Sequence, residues 1–333
     1  MRIRNLSQRL LAAMVLAAST CNVFAQSSAP VLAPLAANTV FRTPAIAGVV
    51  NAGTPVEFIR DGFKGTEGPL AWTDGSLLFT ETQDGRITRI SSDGATSSFL
   101  ENSNGANGLA LSRSGEVYAV QVLKPQVGII YPPHSARVLA QKFEGKPFGR
   151  PNDIVLDSQG NAYFTDSGVV AKPGEPENAK AAVYRIRKSG DLQRLAHDIG
   201  RPNGIQLSPD EKLLYVADTT GEHVLAYGID GDGNLGPRRN FAKLQGFRTL
   251  ENGTTSSGAD GLAVDAQGRL FVASSVGVQV FSPAGEPLGT IELPRAPQNL
   301  AFAGPDKSIL FIVGRGAAYR VATLTAGFAG RAK

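Results

Sequence analysis

A hairpin-like unit that occurs six times limits what this chain can fold into. Each unit begins with a polar residue before a short apolar run, turns, and returns as a second apolar run. Two short strands around a turn predict a β-hairpin. The opening residues of the units are Glu67, Asn107, Asn152, Asn203, Asp260 and Asn299. The residues that close the return runs are Glu81, Gln121, Asp166, Asp218, Ser274 and Gly314.

The spacing of these units predicts the fold. Every unit closes 14 or 15 residues after it opens, and successive units start 39 to 57 residues apart. The two longer units carry their extra residue in the turn, at 208–212 and 304–308, which leaves the register of the strands unchanged. Repeats of this length made of short strands are typical of propeller blades. The sequence therefore predicts an all-β, six-bladed β-propeller over residues 51–325.

One strand near each end of this domain is suited to closing the propeller. Val56-Glu57-Phe58-Ile59 precedes the first hairpin, and Ala318-Tyr319-Arg320-Val321 follows the last one. Pairing an N-terminal strand into the final blade is a common way to close such a ring. We expect these two strands to pair.

Residues 1–25 have the pattern of an export signal. Three arginines precede a short apolar run from Leu10 to Ala18, and Val23-Phe24-Ala25 fits a cleavage site. The run is too short to span a membrane. We therefore expect cleavage after Ala25, a periplasmic or secreted location, and a linker at residues 26–50. A lipoprotein signal that uses Cys21 is a minor alternative.

Composition excludes whole classes of function. Removal of the three signal arginines lowers the formal net charge from +4 to +1, and no basic patch indicates nucleic-acid binding. Cys21 is the single cysteine of the sequence, so the mature chain has neither disulfides nor thiol chemistry. No G-x-S-x-G motif provides a serine nucleophile. We expect a small-molecule substrate, no membrane span, and a monomer or small homo-oligomer.

The six opening residues should ring the mouth of the central channel, because the propeller axis relates equivalent positions of the blades. They are two carboxylates and four amides. Asn and Asp also suit strand starts and turns, which is the plainer interpretation. A complete ring of oxygen donors favours a hard cation, and Ca²⁺ accepts six to eight such ligands. The sequence predicts Ca²⁺ first, with Mg²⁺, Mn²⁺ or Zn²⁺ as alternatives.

A second row of polar residues ends the return strands beside this ring: Glu81, Gln121, Asp166 and Asp218. An asparagine that binds a metal through its oxygen needs an acceptor for its NH₂ group, and a neighbouring carboxylate can supply one. We expect Asp166 to accept from the amide of Asn152. Ordinary capping of strand ends is the alternative.

Four motifs together resemble the SMP-30/gluconolactonase/LRE-like family over roughly residues 56–321. They are Glu67-Gly68-Pro69, Arg150-Pro151-Asn152-Asp153, Arg201-Pro202-Asn203-Gly204 and Ala259-Asp260-Gly261. The resemblance implies a divalent cation in the channel, with Glu67, Asn152, Asn203 and Asp260 as its ligands. It also matches Arg150 to an arginine that contacts substrate in some members. We expect Asn152 and Asn107 to line the same substrate site.

Members of the family hydrolyse lactones, and related propellers cleave organophosphates. The resulting hypothesis is an exported, metal-dependent lactonase with Asp260 as the general base. Direct activation of water by the cation is the alternative mechanism. An organophosphatase or arylesterase on the same metal site, or a non-catalytic binding propeller, are the alternative functions.

Two features of the sequence bear on the substrate. Bacterial gluconolactonases often carry a Cys-Glu-His-like stretch where this chain has Ala119-Val120-Gln121-Val122-Leu123-Lys124, which leaves sugar-lactone specificity open. Arg150 precedes Asn152 by two residues, so both side chains should lie on the same side of the strand. Arg150 is then placed to hold the substrate, or to pair with an acid of the rim.

Overall fold

The computed structural model describes residues 40–169 and 178–333. The predicted signal peptide at 1–25, Cys21 and the first part of the predicted linker lie outside the described residues, so these assignments stay predictions. Within the described ranges, no helix is long and apolar enough to cross a membrane.

The described chain consists almost wholly of short antiparallel strands, with one 3₁₀ turn at Pro133–Ser135. In chain order the first strands are β1 Phe41–Arg42, β2 Pro55–Asp61, β3 Thr66–Ala71, β4 Leu77–Glu81, β5 Arg86–Ile90, β6 Thr96–Leu100, β7 Ala106–Leu111, β8 Val117–Gln121, β9 Gln126–Tyr131, β10 Arg137–Ala140, β11 Lys142–Phe143, β12 Lys146–Pro147, β13 Pro151–Leu156, β14 Ala162–Asp166, β15 Ala182–Ile186 and β16 Leu192–Ala196. The others are β17 Pro202–Leu207, β18 Leu213–Asp218, β19 His223–Gly228, β20 Arg239–Lys243, β21 Arg248–Thr249, β22 Thr255–Ser256, β23 Leu262–Val264, β24 Leu270–Ser274, β25 Gly277–Phe281, β26 Pro287–Ile291, β27 Asn299–Ala303, β28 Ile309–Gly314 and β29 Ala317–Ala322.

The strands form six blades, which confirms the predicted six-bladed propeller. Blades 1 to 5 are the four-stranded sheets β3–β6, β7–β10, β13–β16, β17–β20 and β23–β26. Blade 6 contains β27, β28, β29 and β2, with β1 added at its outer edge. The first strand of each blade is called its inner strand below. Aliphatic and aromatic side chains pack between neighbouring blades, for example Val155 and Tyr163 of blade 3 against Ile205 of blade 4.

The propeller closes through the two strands that the sequence indicated. Glu57 of β2 lies opposite Arg320 of β29, and Phe58 lies opposite Tyr319. The folded part also extends beyond the predicted range of 51–325. Phe41 pairs with Val56 in β2, and the part of the predicted linker that is described buries Val49 completely.

The hairpin turns explain why two units are one residue longer. Four turns contain Gly75, Gly115, Gly160 and Gly268, each with a positive φ that glycine adopts without a steric penalty. The two longer turns instead place Glu211 and Lys307 in the left-handed region, with φ values of 59° and 56°. The extra residue therefore stays in the turn, as predicted, and both strands keep their register.

Each inner strand of blades 1 to 4 has a bulge at or directly after its opening residue. In blade 1, Glu67 pairs with Thr80, but the next regular pair joins Leu70 to Leu78. In blades 2, 3 and 4 the same one-residue shift begins one residue before the opening residue and ends two residues after it. A bulge bends its strand and changes the direction of nearby side chains. It thereby distinguishes the opening residue from the regular part of the strand.

Neighbouring inner strands approach closely beside the opening residues, and four of these residues are followed by glycine. These are Gly68, Gly108, Gly204 and Gly261. A Cβ added at Gly204 would lie 2.1 Å from the backbone oxygen of Asp260. One added at Gly261 would lie 1.9 Å from the Oδ1 atom of Asn299. The glycines therefore allow the opening residues of adjacent blades to come together.

Gly204→Ala tests this close approach. Its Cβ would overlap the backbone of blade 5, so we expect the free energy of unfolding to fall by about 1–3 kcal/mol, the usual cost of overpacking. Gly231→Ala is the matched control, because no atom lies within 4 Å of its added Cβ. Urea unfolding followed by circular dichroism measures both. Equal destabilisation of the two variants would contradict the packing argument.

Candidate metal centre

The six opening residues meet in one closed ring, and each is linked to the next blade. Asn107 Nδ2 donates to the backbone oxygen of Asn152 at 2.9 Å, and Asn299 Nδ2 donates to Glu67 Oε2 at 3.2 Å. The other neighbours are joined by hydrogen bonds to backbone oxygens, such as Thr165 Oγ1 donating to the backbone oxygen of Asn203 at 2.5 Å. We call these six residues the channel ring.

The channel ring divides into two groups. Asn107 and Asn299 are 3% and 1% exposed, and each uses its NH₂ group to hold a neighbouring blade. Glu67, Asn152 and Asn203 are 7–9% exposed, and Asp260 is partly buried. The four more accessible residues are the same four that the family resemblance implied as metal ligands.

Two oxygen atoms of the ring are buried without a hydrogen-bond partner. They are Asn203 Oδ1 and Asp260 Oδ1. Asn203 Nδ2 donates to Thr219 Oγ1 at 3.0 Å, which leaves the amide oxygen as the atom without a partner. Thr219 Oγ1 donates in turn to the backbone oxygen of Ala259 at 2.8 Å. Buried oxygens without partners are uncommon in folded proteins and call for an explanation.

Burial changes the acidity of both ring carboxyl groups. Desolvation raises the pKa of Glu67 to about 7, although a hydrogen bond from Asn299 lowers it. Desolvation and the charge of Glu67 raise the pKa of Asp260 well above its usual value, against the opposing charges of Arg315 and Arg201. The two carboxylates therefore oppose each other's ionisation, and a cation between them would favour the charged form of both.

The donor set fits a hard divalent cation. Two carboxylates would balance its charge, and two amide oxygens would complete a set of oxygen donors. Among the described residues, no group of three or more His, Cys, Asp and Glu side chains is arranged to hold a metal ion. A metal at this position would therefore depend on the amide oxygens of Asn152 and Asn203 as well as on the acids.

The second row of polar residues holds backbone rather than the ring amides. Asp166 accepts hydrogen bonds from the backbone N–H groups of Gly149, Arg150 and Gly168 at 2.6–2.8 Å. Asp218 accepts from the N–H of Arg201 at 2.9 Å. The partners of Asp166 thus differ from the amide of Asn152 that we expected. Both acids fix the segment that leads into their own inner strand.

Glu81 and Gln121 act in the same way in blades 1 and 2. Glu81 Oε2 accepts from the backbone N–H of Lys64 at 3.0 Å, and Gln121 Nε2 donates to the backbone oxygen of Ser103 at 2.8 Å. Burial raises the pKa of Glu81, but the hydrogen bonds that Glu81 accepts, from Arg86 and Thr88 among others, lower it by more. The net shift of its pKa is therefore downward. Glu81 is therefore a stable anion that anchors the segment before Glu67.

The rim of the channel carries exposed arginines. Arg150 lies in the segment before β13 and is exposed, as is Arg201 in the equivalent place of blade 4. No ion pair of the Arg150 guanidinium group occurs within residues 40–169 and 178–333. The predicted role of Arg150 in substrate binding therefore stays open, and the alternative of a rim ion pair finds no acid among the described residues.

Sequence reasoning missed a buried ion pair below the ring. Asp153 stands where four of the six units have glycine. Its carboxylate is completely buried, accepts from the backbone N–H of Ile154 at 2.9 Å, and pairs with the ammonium group of Lys333. Asp153 raises the pKa of Glu67 and Lys333 lowers it, so both charges act on the ring. The sequence signal that could have indicated this ion pair is the aspartate that replaces glycine after the opening residue of the third unit.

Lys333 belongs to a C-terminal segment, residues 323–333, that crosses the opposite end of the channel. The backbone N–H of Ala71 donates to Ala332 at 2.9 Å, and Phe328 donates to Val264 at 3.2 Å. The Arg331 guanidinium group donates to the backbone oxygen of Leu207 at 2.6 Å. Each of these contacts is at the end of an inner strand farthest from the ring. A hollow of about 300 Å³ lies beside this segment and has no ring residue in its lining.

Comparison with known proteins agrees with this geometry. The sequence profile of the SMP-30/gluconolactonase/LRE-like region matches residues 65–315. The chain belongs to this family. A gluconolactonase from Zymomonas mobilis is 29% identical over 313 residues, which cover 86% of each chain.

Two solved structures share the fold. A gluconolactonase structure from Xanthomonas campestris superposes with a TM-score of 0.74 at 27% identity, covering 86% of this chain and 95% of the other. A calcium-binding regucalcin from Agrobacterium tumefaciens superposes with a TM-score of 0.63 at 17% identity, covering 82% and 95%. The gluconolactonase relatives support lactone hydrolysis as the reaction class.

The acidity of Glu67 predicts how the stability of the metal-free protein depends on pH. Because its folded pKa of about 7 exceeds the unfolded value of 4.5, the folded state binds more protons between these values. In the presence of a chelator, the free energy of unfolding should therefore fall as the pH rises from 5 to 8. Glu67 should account for up to roughly 3 kcal/mol of this decrease. Glu67→Gln should reduce this fall, whereas Glu286→Gln, at an exposed site, should leave it unchanged. Parallel pH profiles for wild type and Glu67→Gln would contradict the assignment.

The ion pair between Lys333 and Asp153 predicts a large loss of stability when one partner is removed. Lys333→Met leaves the Asp153 carboxylate buried and unpaired, so we expect a loss of about 3–5 kcal/mol by urea unfolding. The double variant with Asp153→Asn should lose less than the single variant, because no charge is then left unpaired. Lys142→Met, at an exposed lysine, should change stability by about 0.5 kcal/mol or less. Additive effects of the two substitutions would show that the pair is not coupled.

Proposed function

We propose that this chain is a metal-dependent lactonase whose reaction takes place at the channel ring. The observation that carries the proposal is the pair of buried oxygens without partners, Asn203 Oδ1 and Asp260 Oδ1, beside the carboxylate of Glu67. A hard cation requires oxygen ligands such as these two atoms. No group of the described protein donates a hydrogen bond to either of them. The similarity to a gluconolactonase over 86% of both chains supports a lactone as the substrate class.

Glu67, Asn152, Asn203 and Asp260 would hold the cation, with Ca²⁺ as the first choice. When bound, the cation supplies a Lewis acid that polarises the lactone carbonyl and stabilises negative charge on its oxygen. Asn107 and Asn299 keep two of these residues, Asn152 and Glu67, in place through their hydrogen bonds. The acids of the second row act one step farther out by fixing the segments before the inner strands.

The remaining steps are assigned to side chains of this protein. Water attacks the carbonyl carbon, and Asp260 accepts its proton. The bond between that carbon and the endocyclic oxygen of the lactone then breaks. The alkoxide formed takes the proton from Asp260, which gives a hydroxy acid. Asp260 is assigned this role because Glu67, the other carboxylate of the channel ring, already accepts hydrogen bonds from Gln298 and Asn299. Arg150, which is exposed, would donate to an oxygen of the substrate at the rim.

Substitution of two ring residues tests the proposal. Asn203→Ala removes a neutral donor, and Asp260→Ala removes a donor and a charge, so both should weaken Ca²⁺ binding and Asp260→Ala should do so more. Loss of the polarising cation should lower kcat/KM on the best lactone by roughly 100-fold or more. Asn240→Ala is the control, since Asn240 is exposed on β20. Isothermal titration calorimetry and acid release on lactone hydrolysis are the two measurements.

Metal removal and a substrate comparison complete this test. Dialysis against a chelator should abolish hydrolysis, and separate additions of Ca²⁺, Mg²⁺, Mn²⁺ and Zn²⁺ should show which ion restores it. The same preparation should be assayed on a phosphotriester and an aryl ester. Wild-type turnover by either ring variant, or a higher kcat/KM on a phosphotriester than on any lactone, would overturn the proposal.

A further inference from the structure

Several loops on the face of the propeller that carries the channel ring expose large apolar side chains. Of the ten large apolar residues that are exposed in the described chain, five lie in loops of this face. These five are Leu123, Val169, Phe247, Leu250 and Val276. Single exposed apolar residues are ordinary, but a set around one opening is typical of a binding surface. We call these five residues the apolar rim.

Leu123 lies beside the segment that leads into the ring at Asn107. Its backbone N–H donates to the backbone oxygen of Asn104 at 3.3 Å, and the N–H of Val122 donates to Gly105 at 3.1 Å. A Cβ added at Gly105 would lie 2.8 Å from the Leu123 side chain. The side chain is 66% exposed, so it is available to a ligand at the opening.

Val169 occupies a similar place beside Asn152. The backbone N–H of Ser167 donates to the backbone oxygen of Arg150 at 3.0 Å. A Cβ added at Gly149 would lie 2.7 Å from the backbone nitrogen of Val169. Val169 thus lies next to the segment that carries the rim arginine.

Val276 and Phe247 flank the ring near Asp260. The backbone N–H of Ser275 donates to Ser257 at 3.2 Å, three residues before Asp260. A Cβ added at Gly246 would lie 2.6 Å from the side chain of Val276, which places Phe247, the next residue, beside it. Apolar side chains therefore stand next to three of the segments that lead into the channel ring.

This surface suits one kind of substrate better than another. A substituent of alkyl or aromatic character would bury apolar area against the rim while its carbonyl group reaches the polar ring. The hydroxyl groups of a sugar lactone would instead lose water against side chains that cannot form hydrogen bonds. Resting on the proposed lactonase activity, we propose that the preferred substrates are lactones with an apolar substituent on the lactone ring.

A series of γ-lactones tests this inference: γ-butyrolactone, γ-hexalactone, γ-octalactone and γ-decalactone, with glucono-1,5-lactone as the polar comparator. For the wild type, kcat/KM should rise roughly two- to fourfold with each methylene group that becomes buried. The value for glucono-1,5-lactone should lie below that for γ-decalactone. The opposite order, or no rise with chain length, would overturn the inference.

Rim variants show whether the apolar rim is the cause of this rise. Leu123→Ser and, as an independent variant, Val276→Ser should lower the ratio of kcat/KM for γ-decalactone to that for γ-butyrolactone by about fivefold or more. Leu324→Ser is the matched control, because Leu324 is a leucine of similar exposure, 58%, beyond the end of β29 that lies away from the ring. Its ratio should equal that of the wild type. Thermal melts verify that all variants are folded.

The outcomes separate this inference from the proposed function. If the Ca²⁺-loaded protein hydrolyses none of the five lactones, the lactonase proposal itself fails. If it hydrolyses glucono-1,5-lactone best, the lactonase proposal stands and only the apolar substrate class is wrong. If the chain-length dependence persists in both rim variants, the apolar contact lies elsewhere on the protein and the role given to the rim is wrong.

Discussion

The burial of two carboxylates at the opening of one channel is the constraint on which the rest of the site depends. Removing a carboxylate from water is costly unless charges and hydrogen bonds compensate for it. Asn299 and Gln298 donate to Glu67 at 3.2 Å, and the charges of Arg315 and Arg201 act on Asp260. This compensation is incomplete, because Asp260 Oδ1 and Asn203 Oδ1 still have no partner. The fold therefore maintains an arrangement whose remaining cost a cation would offset.

A sixfold repeat of the backbone produces a site that is not sixfold. The bulge at or after the opening residue, the glycine that follows this residue and the polar residue that ends the return strand recur from blade to blade. They place six side chains in one ring without specifying what each one does. The identity and contacts of each side chain then determine its role. Asn107 and Asn299 hold neighbouring blades, while the other four are the more exposed members of the ring.

The backbone of this protein could be predicted from its sequence because the constraint is local and repeated. A unit such as Asn152 to Asp166 contains both strands and the turn of a hairpin, and six copies leave the propeller as the consistent arrangement. The side-chain contacts could not be predicted in the same way. Asp166 binds backbone N–H groups instead of the Asn152 amide, and the pairing of Lys333 with Asp153 joins residues 180 positions apart. The contact between Lys333 and Asp153 depends on the closed propeller, which no local pattern encodes.

The three acids at the channel opening differ in how their charge is balanced, and this difference bears on the kind of ion the opening can accept. Directly below the ring, Asp153 is neutralised by Lys333, and backbone N–H groups of Ile154 and Ile205 hold its two oxygens. In the ring itself, no cation of the described residues forms an ion pair with Glu67 or Asp260. An ion bound there would face two carboxylates without an ion pair rather than three, because the third is already paired within the protein. The ion pair below the ring thus leaves the opening with the charge that balances a divalent ion.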